Sequence, residues 1–237
     1  MSFMAHIRIL KRLLEVYERG RIAISIDEIK ERVRVPRDVL LHYLKELERR
    51  GIVQVNDDEL FILVPSVELA YHAISMGADI EEVALYLNWR DFERFTAMCL
   101  MENGYEVIEH LIFKSERRRY EVDVIGLRRP WAIVVDCKHW TMMRGSRSSK
   151  LKRAIVDHRR RTEALARCLP RLRKRLGITR WHEVILIPVL VTLYQEGVML
   201  FEGVPLVPIC GLNEFLQEFQ GIAESIFLKK VPLNTLI

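Results

Sequence analysis

Residues Tyr120–Trp140, YEVDVIGLRRPWAIVVDCKHW, set two requirements against each other. Their Val and Ile content, broken at Arg128-Arg129-Pro130, reads as two strands of a buried sheet joined by a turn. The same stretch carries Asp123, Asp136 and Lys138, and burying an ion is costly unless a partner compensates it. Side chains alternate along a strand. Asp136 and Lys138 therefore share one face, Glu121 and Asp123 share one on the preceding strand, and Val135 and Cys137 point the opposite way from Asp136. An antiparallel hairpin through the turn lets Asp123 and Asp136 lie across from each other near one end. Two carboxylates held close repel unless a proton or a cation sits between them. Oxygen-only ligands suit Mg²⁺ or Mn²⁺ rather than zinc. The expected partner is thus a divalent metal ion with a phosphate behind it, and Lys138 adds a fixed positive charge beside the acids.

Working outward, a helix over 89–102 places Trp89, Phe92, Phe95 and Cys99 on one side, and Asn103-Gly104 stops it. Strands follow at about 105–113, 119–127 and 131–139. A long helix at about 147–168 has the inward line Leu151, Ile155, His158, Thr162, Leu165 and Leu169. A fourth strand spans 184–193, GVMLFEGVPLVPIC adds one or two short strands, and LNEFLQEF closes with a helix. The order is α-β-β-β-α-β, an α/β fold.

That order, with Asp123, twelve intervening residues and then Asp136-x-Lys138, resembles the PD-(D/E)XK nuclease superfamily over about residues 89–210. Within it the chain is most similar to archaeal Holliday-junction resolvases and Mrr-type restriction enzymes, which also begin with a helix bearing a Glu, here Glu93 in WRDFERF. Two positions depart from the name of the motif: Val122 stands where it has proline, and the second acid is Asp136, whose arm is shorter than that of Glu. The resemblance implies a restriction endonuclease-like core with a mixed central sheet, and metal-dependent cleavage of DNA in repair, recombination or restriction. It also implies that Asp123, Asp136, the backbone carbonyl of Cys137 and Glu93 bind Mg²⁺ or Mn²⁺. Lys138 would orient or help deprotonate the attacking water and stabilise charge on the phosphate. Glu121 could stand in for Glu93, and many relatives cut both strands as homodimers.

The same residues have purely structural readings. Asp136 and Lys138 form a salt bridge, Asp123 caps a backbone amide, Glu93 complements a helix dipole, and His158 is a core histidine. His139 and Cys137 flank Lys138 and both face away from the acids.

The N-terminal region has a different pattern. A helix over 5–20 carries Leu10, Leu13, Leu14 and Tyr17 on one face. A short extended piece and a helix over about Ile26–Arg32 follow, then a helix from Pro36 to Arg50 with Val39, Leu40, Tyr43, Leu44 and Leu47 inward. Two short strands then flank Asn56-Asp57-Asp58. This order resembles a winged helix-turn-helix domain over residues 5–64, whose third helix would expose Arg37, His42, Lys45 and Arg49 to DNA. The expected organisation is a winged helix in 1–64, a helical connector in 65–88 and a nuclease-like domain in 89–237.

Charge separates these regions. Residues 144–175 hold 13 Lys and Arg against 2 Asp and Glu, whereas residues 1–64 hold 12 against 11. The concentrated field invites a polyanion. Lys150, Lys152, Arg153, Arg159, Arg160 and Arg167 are the expected phosphate contacts, extended by Arg171, Arg173, Lys174 and Arg175. Aromatic residues for stacking on single strands are scarce there. The near-neutral winged helix fits a protein partner as well as DNA.

Cys99, Cys137, Cys168 and Cys210 lie far apart with no CxxC pair, so neither a zinc ribbon nor a disulfide framework is expected. The longest apolar run, Val184–Leu193, is interrupted by Pro188 and is too short to span a bilayer. Arg8, Lys11 and Arg12 mixed with Glu15 and Glu18 do not form a signal peptide, and a soluble cytoplasmic protein is expected. Two alternatives stay open: an inactive nuclease-fold DNA-binding or scaffold protein, and a winged-helix transcription regulator.

Overall fold

The structure is a computed structural model describing residues 3–140, 147–194 and 199–233. Chain packing divides it into two units, Met1–Phe92 and Glu93–Ile237.

In the first unit, α1 (Phe3–Glu18) is followed by β1 (Ala23–Ser25), α2 (Ile26–Val33) and α3 (Arg37–Arg49). The strands β2 (Val53–Asn56) and β3 (Glu59–Ile62) complete a three-stranded antiparallel sheet in the order β1-β3-β2. Leu10, Leu13 and Leu14 of α1 and Leu40, Leu44 and Leu47 of α3 are buried, as the helical period requires. Tyr43 stacks on His6 with ring centroids 3.8 Å apart. Pro36 is the cap residue of α3 and not its first helical position, with ψ at 143°. Ser25 ends β1 and caps α2, its hydroxyl accepting from the Glu28 amide at 3.1 Å. Ser25→Ala is expected to cost about 1 kcal/mol of stability, read from the urea midpoint. Two further helices, α4 (Ser66–Ser75) and α5 (Ile80–Ala84), belong to this unit, and α4 packs on α1.

The second unit holds most of α6 (Trp89–Glu102), then β4 (Glu106–Ser115), β5 (Arg118–Arg128), β6 (Trp131–Lys138), α7 (Arg147–Leu172) and β7 (Glu183–Thr192). This is the expected α-β-β-β-α-β order. Then come β8 (Leu200–Phe201), β9 (Val204–Pro208), α8 (Leu212–Glu218) and β10 (Lys229–Pro232). The fold is mixed α/β around a seven-stranded sheet, with β4-β5-β6-β7-β9-β8 in sequence and β10 also on β7. Glu116 and Arg117, both at positive φ, close the β4–β5 hairpin in the two-residue turn that suits strand twist. The β5–β6 pair is antiparallel and the β6–β7 pair is parallel. A parallel pair needs a crossover, and α7 supplies it. Every residue of the expected inward line of α7, from Leu151 to Leu169, is buried. Leu165 and Leu169 share a core with Ile125, Leu127, Ala132, Val134, Val184 and Leu186. On β5, a Cβ added at Gly126 would meet Leu100 Cδ2 of α6 at 2.9 Å, so the bare backbone lets that helix lie close.

Two further features differ from the sequence expectation. Trp89 is 56% exposed, while Phe92, Phe95, Thr96 and Leu100 form the buried side of α6. Trp89 is the first residue of the helix, in the turn that Asn88 caps through the amides of Arg90 and Asp91. The second feature is β10: KKVP has no apolar alternation to predict a strand, and it forms one by antiparallel pairing with Glu183–Leu186.

Among the described residues, no helix is long and apolar enough to cross a membrane.

Candidate functional site

The β5–β6 ladder ends at Val124↔Val135, although both strands continue past it. One step further along that register, Asp123 lies opposite Asp136. There β6 stays paired with β7 while β5 parts from it. The Cys137 amide, left without a ladder partner on that side, donates to Asp123 Oδ2 at 2.8 Å. On the other edge of β5, the pairs Glu109↔Val124 and Leu111↔Val122 set His110 opposite Asp123. His110 has φ 52°, in the left-handed region where His is tolerated better than most residues. The strict alternation expected from sequence shifts at this point. Val122 and Ile125, three residues apart, pack in one core, and so do Ile108 and Leu111.

Asp136 is 2% exposed. Its Oδ2 meets Lys138 Nζ at 2.6 Å, and its Oδ1 accepts from Arg161 Nη1 at 2.6 Å. Lys138 Nζ also lies 3.4 Å from the Cys137 carbonyl. Burial alone would raise the pKa of Asp136, yet the neighbouring His158 and the charges of Lys138 and Arg161 hold it below the ordinary carboxylate value. His158 is fully buried on α7, as a core histidine, with Nε2 2.9 Å from the Val134 carbonyl. Burial lowers its pKa to about 4, so it is neutral at pH 7. The cations that persist around Asp136 are Lys138 and Arg161.

Arg161 belongs to the site although the sequence does not single it out. By composition the cations of α7 read as one solvated face, and only its place three residues after His158 and next to buried Thr162 marks Arg161 as different.

The other acids are less well compensated. Burial and the charge of Asp136 raise the pKa of Asp123. Glu93 is 7% exposed. Burial, then Asp123, push its pKa up to about 7, against the opposing pull of His110. Glu93 Oε2 is buried without a hydrogen-bond partner. His110 Nε2 stands 3.8 Å from that oxygen, and His110 Nδ1 stands 3.5 Å from Glu121 Oε1. Cys137 directs its thiol to the Thr96 hydroxyl, and burial raises its pKa well above the usual thiol value.

Three of the structural readings therefore hold: Asp136 and Lys138 form an ion pair, Asp123 accepts from a backbone amide, and His158 is a core histidine. Among the described residues, no three His, Cys, Asp or Glu side chains already converge as a metal cluster. The donor set nonetheless fits a hard cation. Glu93 is buried and Asp123 half-buried, and burial together with a neighbouring acid drives the pKa of each up. Lys138 Nζ itself stands as a cation against Asp136 Oδ2 and the Cys137 carbonyl. These are oxygen donors of the kind Mg²⁺ and Mn²⁺ take.

The basic helix has two populations. Arg153, Arg160 and Arg167, seven apart, form one exposed stripe, the first two paired loosely with Asp157 at 3.8 Å and 3.9 Å and the third with exposed Glu116 at 3.1 Å. Lys150 and Lys152 are exposed near its start, and Lys152 lies 5.5 Å from the Phe201 ring. Arg159 is half-buried, donating to the Glu202 carbonyl at 3.2 Å and lying over the Phe227 ring. Arg175 donates to the Ile112 carbonyl at 2.6 Å. In the first unit, Arg37, His42, Lys45 and Arg49 all lie on the exposed side of α3, with Arg37 3.9 Å from Asp58.

No family model matches the chain. A protein of Archaeoglobus fulgidus described as uncharacterized is 28% identical over 130 residues, which is 55% of this chain and 90% of that protein. Among solved structures, protein VC1899 from Vibrio cholerae matches at 14% identity and a TM-score of 0.37, over 94% of this chain and 51% of that one. The restriction endonuclease FokI matches at 10% identity and a TM-score of 0.38, over 92% of this chain and 44% of that one. The chain spans about half the length of these two structural relatives.

Proposed function

We propose that the chain is a divalent-metal-dependent endodeoxyribonuclease of the PD-(D/E)XK type. The observation that carries this reading is the position of Lys138 Nζ, 2.6 Å from Asp136 Oδ2 and 3.4 Å from the Cys137 carbonyl. A cation already rests on two donors expected to hold a metal, beside two further acids that lack one. Asp123, Asp136, the Cys137 carbonyl and Glu93 would hold Mg²⁺ or Mn²⁺. A divalent ion at such a site lowers the pKa of an attacking water and offsets charge developing on the phosphate. Lys138, released from Asp136, directs its ammonium group at the phosphate and the attacking water. Arg161 keeps Asp136 ionised and fixed in orientation.

The stripe of Arg153, Arg160 and Arg167, with Lys150 and Lys152, holds phosphates without reading bases. Replacing the three stripe arginines together by Ala is expected to weaken DNA binding and to reduce the slope of log K against log salt by about 2 to 3. Binding isotherms at several salt concentrations check this. Residues 1–64, read as a winged helix, would place the nuclease on DNA or on a protein partner, and cutting both strands calls for a homodimer. Repair, recombination or restriction would be the setting.

A second reading, a nuclease-fold protein that binds DNA without cutting it, is favoured by one observation: both oxygens of Asp136 are already paired with cations. Incubating plasmid, flap, junction and single-stranded DNA with Mg²⁺, Mn²⁺ or EDTA separates the two. The nuclease reading expects cleavage that chelator abolishes. Tight binding without cleavage under every metal supports the second reading instead.

A further inference from the structure

His110 has no part in the cleavage chemistry proposed so far, yet its placement is the most unusual in the sheet. It lies inside β4 with a left-handed φ of 52°, opposite Asp123. The turned backbone holds the imidazole between two carboxylates, with Nε2 3.8 Å from Glu93 Oε2 and Nδ1 3.5 Å from Glu121 Oε1. Glu93 Oε2 is buried and lacks a hydrogen-bond partner. The 3.8 Å separation is too long for a hydrogen bond. It lies within the roughly 4.2 Å that two donors on one ion can span at metal–donor distances near 2.1 Å. On the far side of the ring, Glu121 occupies the place where metal-ligating histidines commonly hand their second N–H to a carboxylate.

We propose that His110 Nε2 is a nitrogen ligand of the cation held by Glu93 and Asp123, with Glu121 fixing the ring. The inference rests on the metal-dependent reading above and deepens it, because an imidazole donor favours Mn²⁺ over Mg²⁺. Mg²⁺ takes oxygen ligands in a strict octahedron, whereas imidazole suits transition ions.

The test is electron spin-echo spectroscopy of the Mn²⁺-loaded full chain, with Mn²⁺ and Mg²⁺ affinities measured alongside. His110→Asn is the informative variant, because Asn tolerates the left-handed backbone and lacks the imidazole. Wild type is expected to show nitrogen modulation that His110→Asn loses. Mn²⁺ affinity should fall about 10- to 100-fold in that variant, and in Glu121→Gln by a similar or smaller factor. Mg²⁺ affinity should change much less. Bound Mn²⁺ without nitrogen modulation in wild type overturns the role of His110 and leaves the nuclease reading standing. Modulation that persists in His110→Asn also overturns it and assigns the nitrogen elsewhere. Failure of wild type to bind Mn²⁺ at all removes both readings.

Discussion

Lys138→Ala is expected to lower DNA cleavage by roughly 10²- to 10⁴-fold, the range for losing a positioned proton-transfer group. The substitution removes the ammonium that lies on Asp136 Oδ2 and leaves that carboxylate paired with Arg161. The fold should persist, because Lys138 is the last residue of β6 and its backbone pairing with Thr192 does not depend on the side chain. Metal affinity should be unchanged or tighter, since a competing cation has gone. Single-turnover cleavage of supercoiled plasmid at saturating Mn²⁺ checks the rate. Cleavage unchanged in the variant contradicts the role given to Lys138.

Glu93→Gln is expected to stabilise the protein in the absence of metal, by an amount that grows with pH. The folded-state pKa of Glu93 is about 7, above its ordinary 4.5, with burial the leading cause and the charge of Asp123 next. Below pH 4.5 both folded and unfolded states carry the neutral acid, and its contribution is fully present. As pH rises from 4.5 towards 7, the unfolded chain releases this proton first, and stability is lost. Each pH unit across that interval removes about 1.4 kcal/mol, so the loss reaches at most about 3 kcal/mol by about pH 8. Gln cannot ionise and escapes it. Urea unfolding of both proteins in EDTA between about pH 4 and pH 8 should show curves that meet at the acid end and diverge above. Added Mg²⁺ or Mn²⁺ should recover stability in wild type at the alkaline end and recover less in the variant. Parallel curves across the range would mean that Glu93 sits in water and takes no part in the acid cluster.

Much of this site was legible because it depends on counting. The inward line of α7 follows from the helical period, and all six of its residues are buried. Counting back from the Arg129-Pro130 turn places Asp123 against Asp136, and the β5–β6 register agrees up to the pair before them. What escaped depends on single residues breaking a pattern. Arg161 lies among solvated arginines in sequence, yet its helical angle turns it to Asp136. His110 adopts a backbone conformation that usually announces itself as Gly, and the shift in alternation that accompanies it changes which neighbours reach the acids. Trp89 satisfies the apolar period but is the first residue of the helix and is exposed.

Metal-dependent cleavage at this site requires that Lys138 occupy a cation seat that a divalent ion can take. Calorimetric titration of Mn²⁺ into wild type, Lys138→Ala and Asp136→Asn measures that seat without reference to cleavage. Wild type should bind, Lys138→Ala should bind equally or more tightly, and Asp136→Asn should lose binding. No binding to wild type, or equal binding to wild type and Asp136→Asn, would contradict the proposed metal seat.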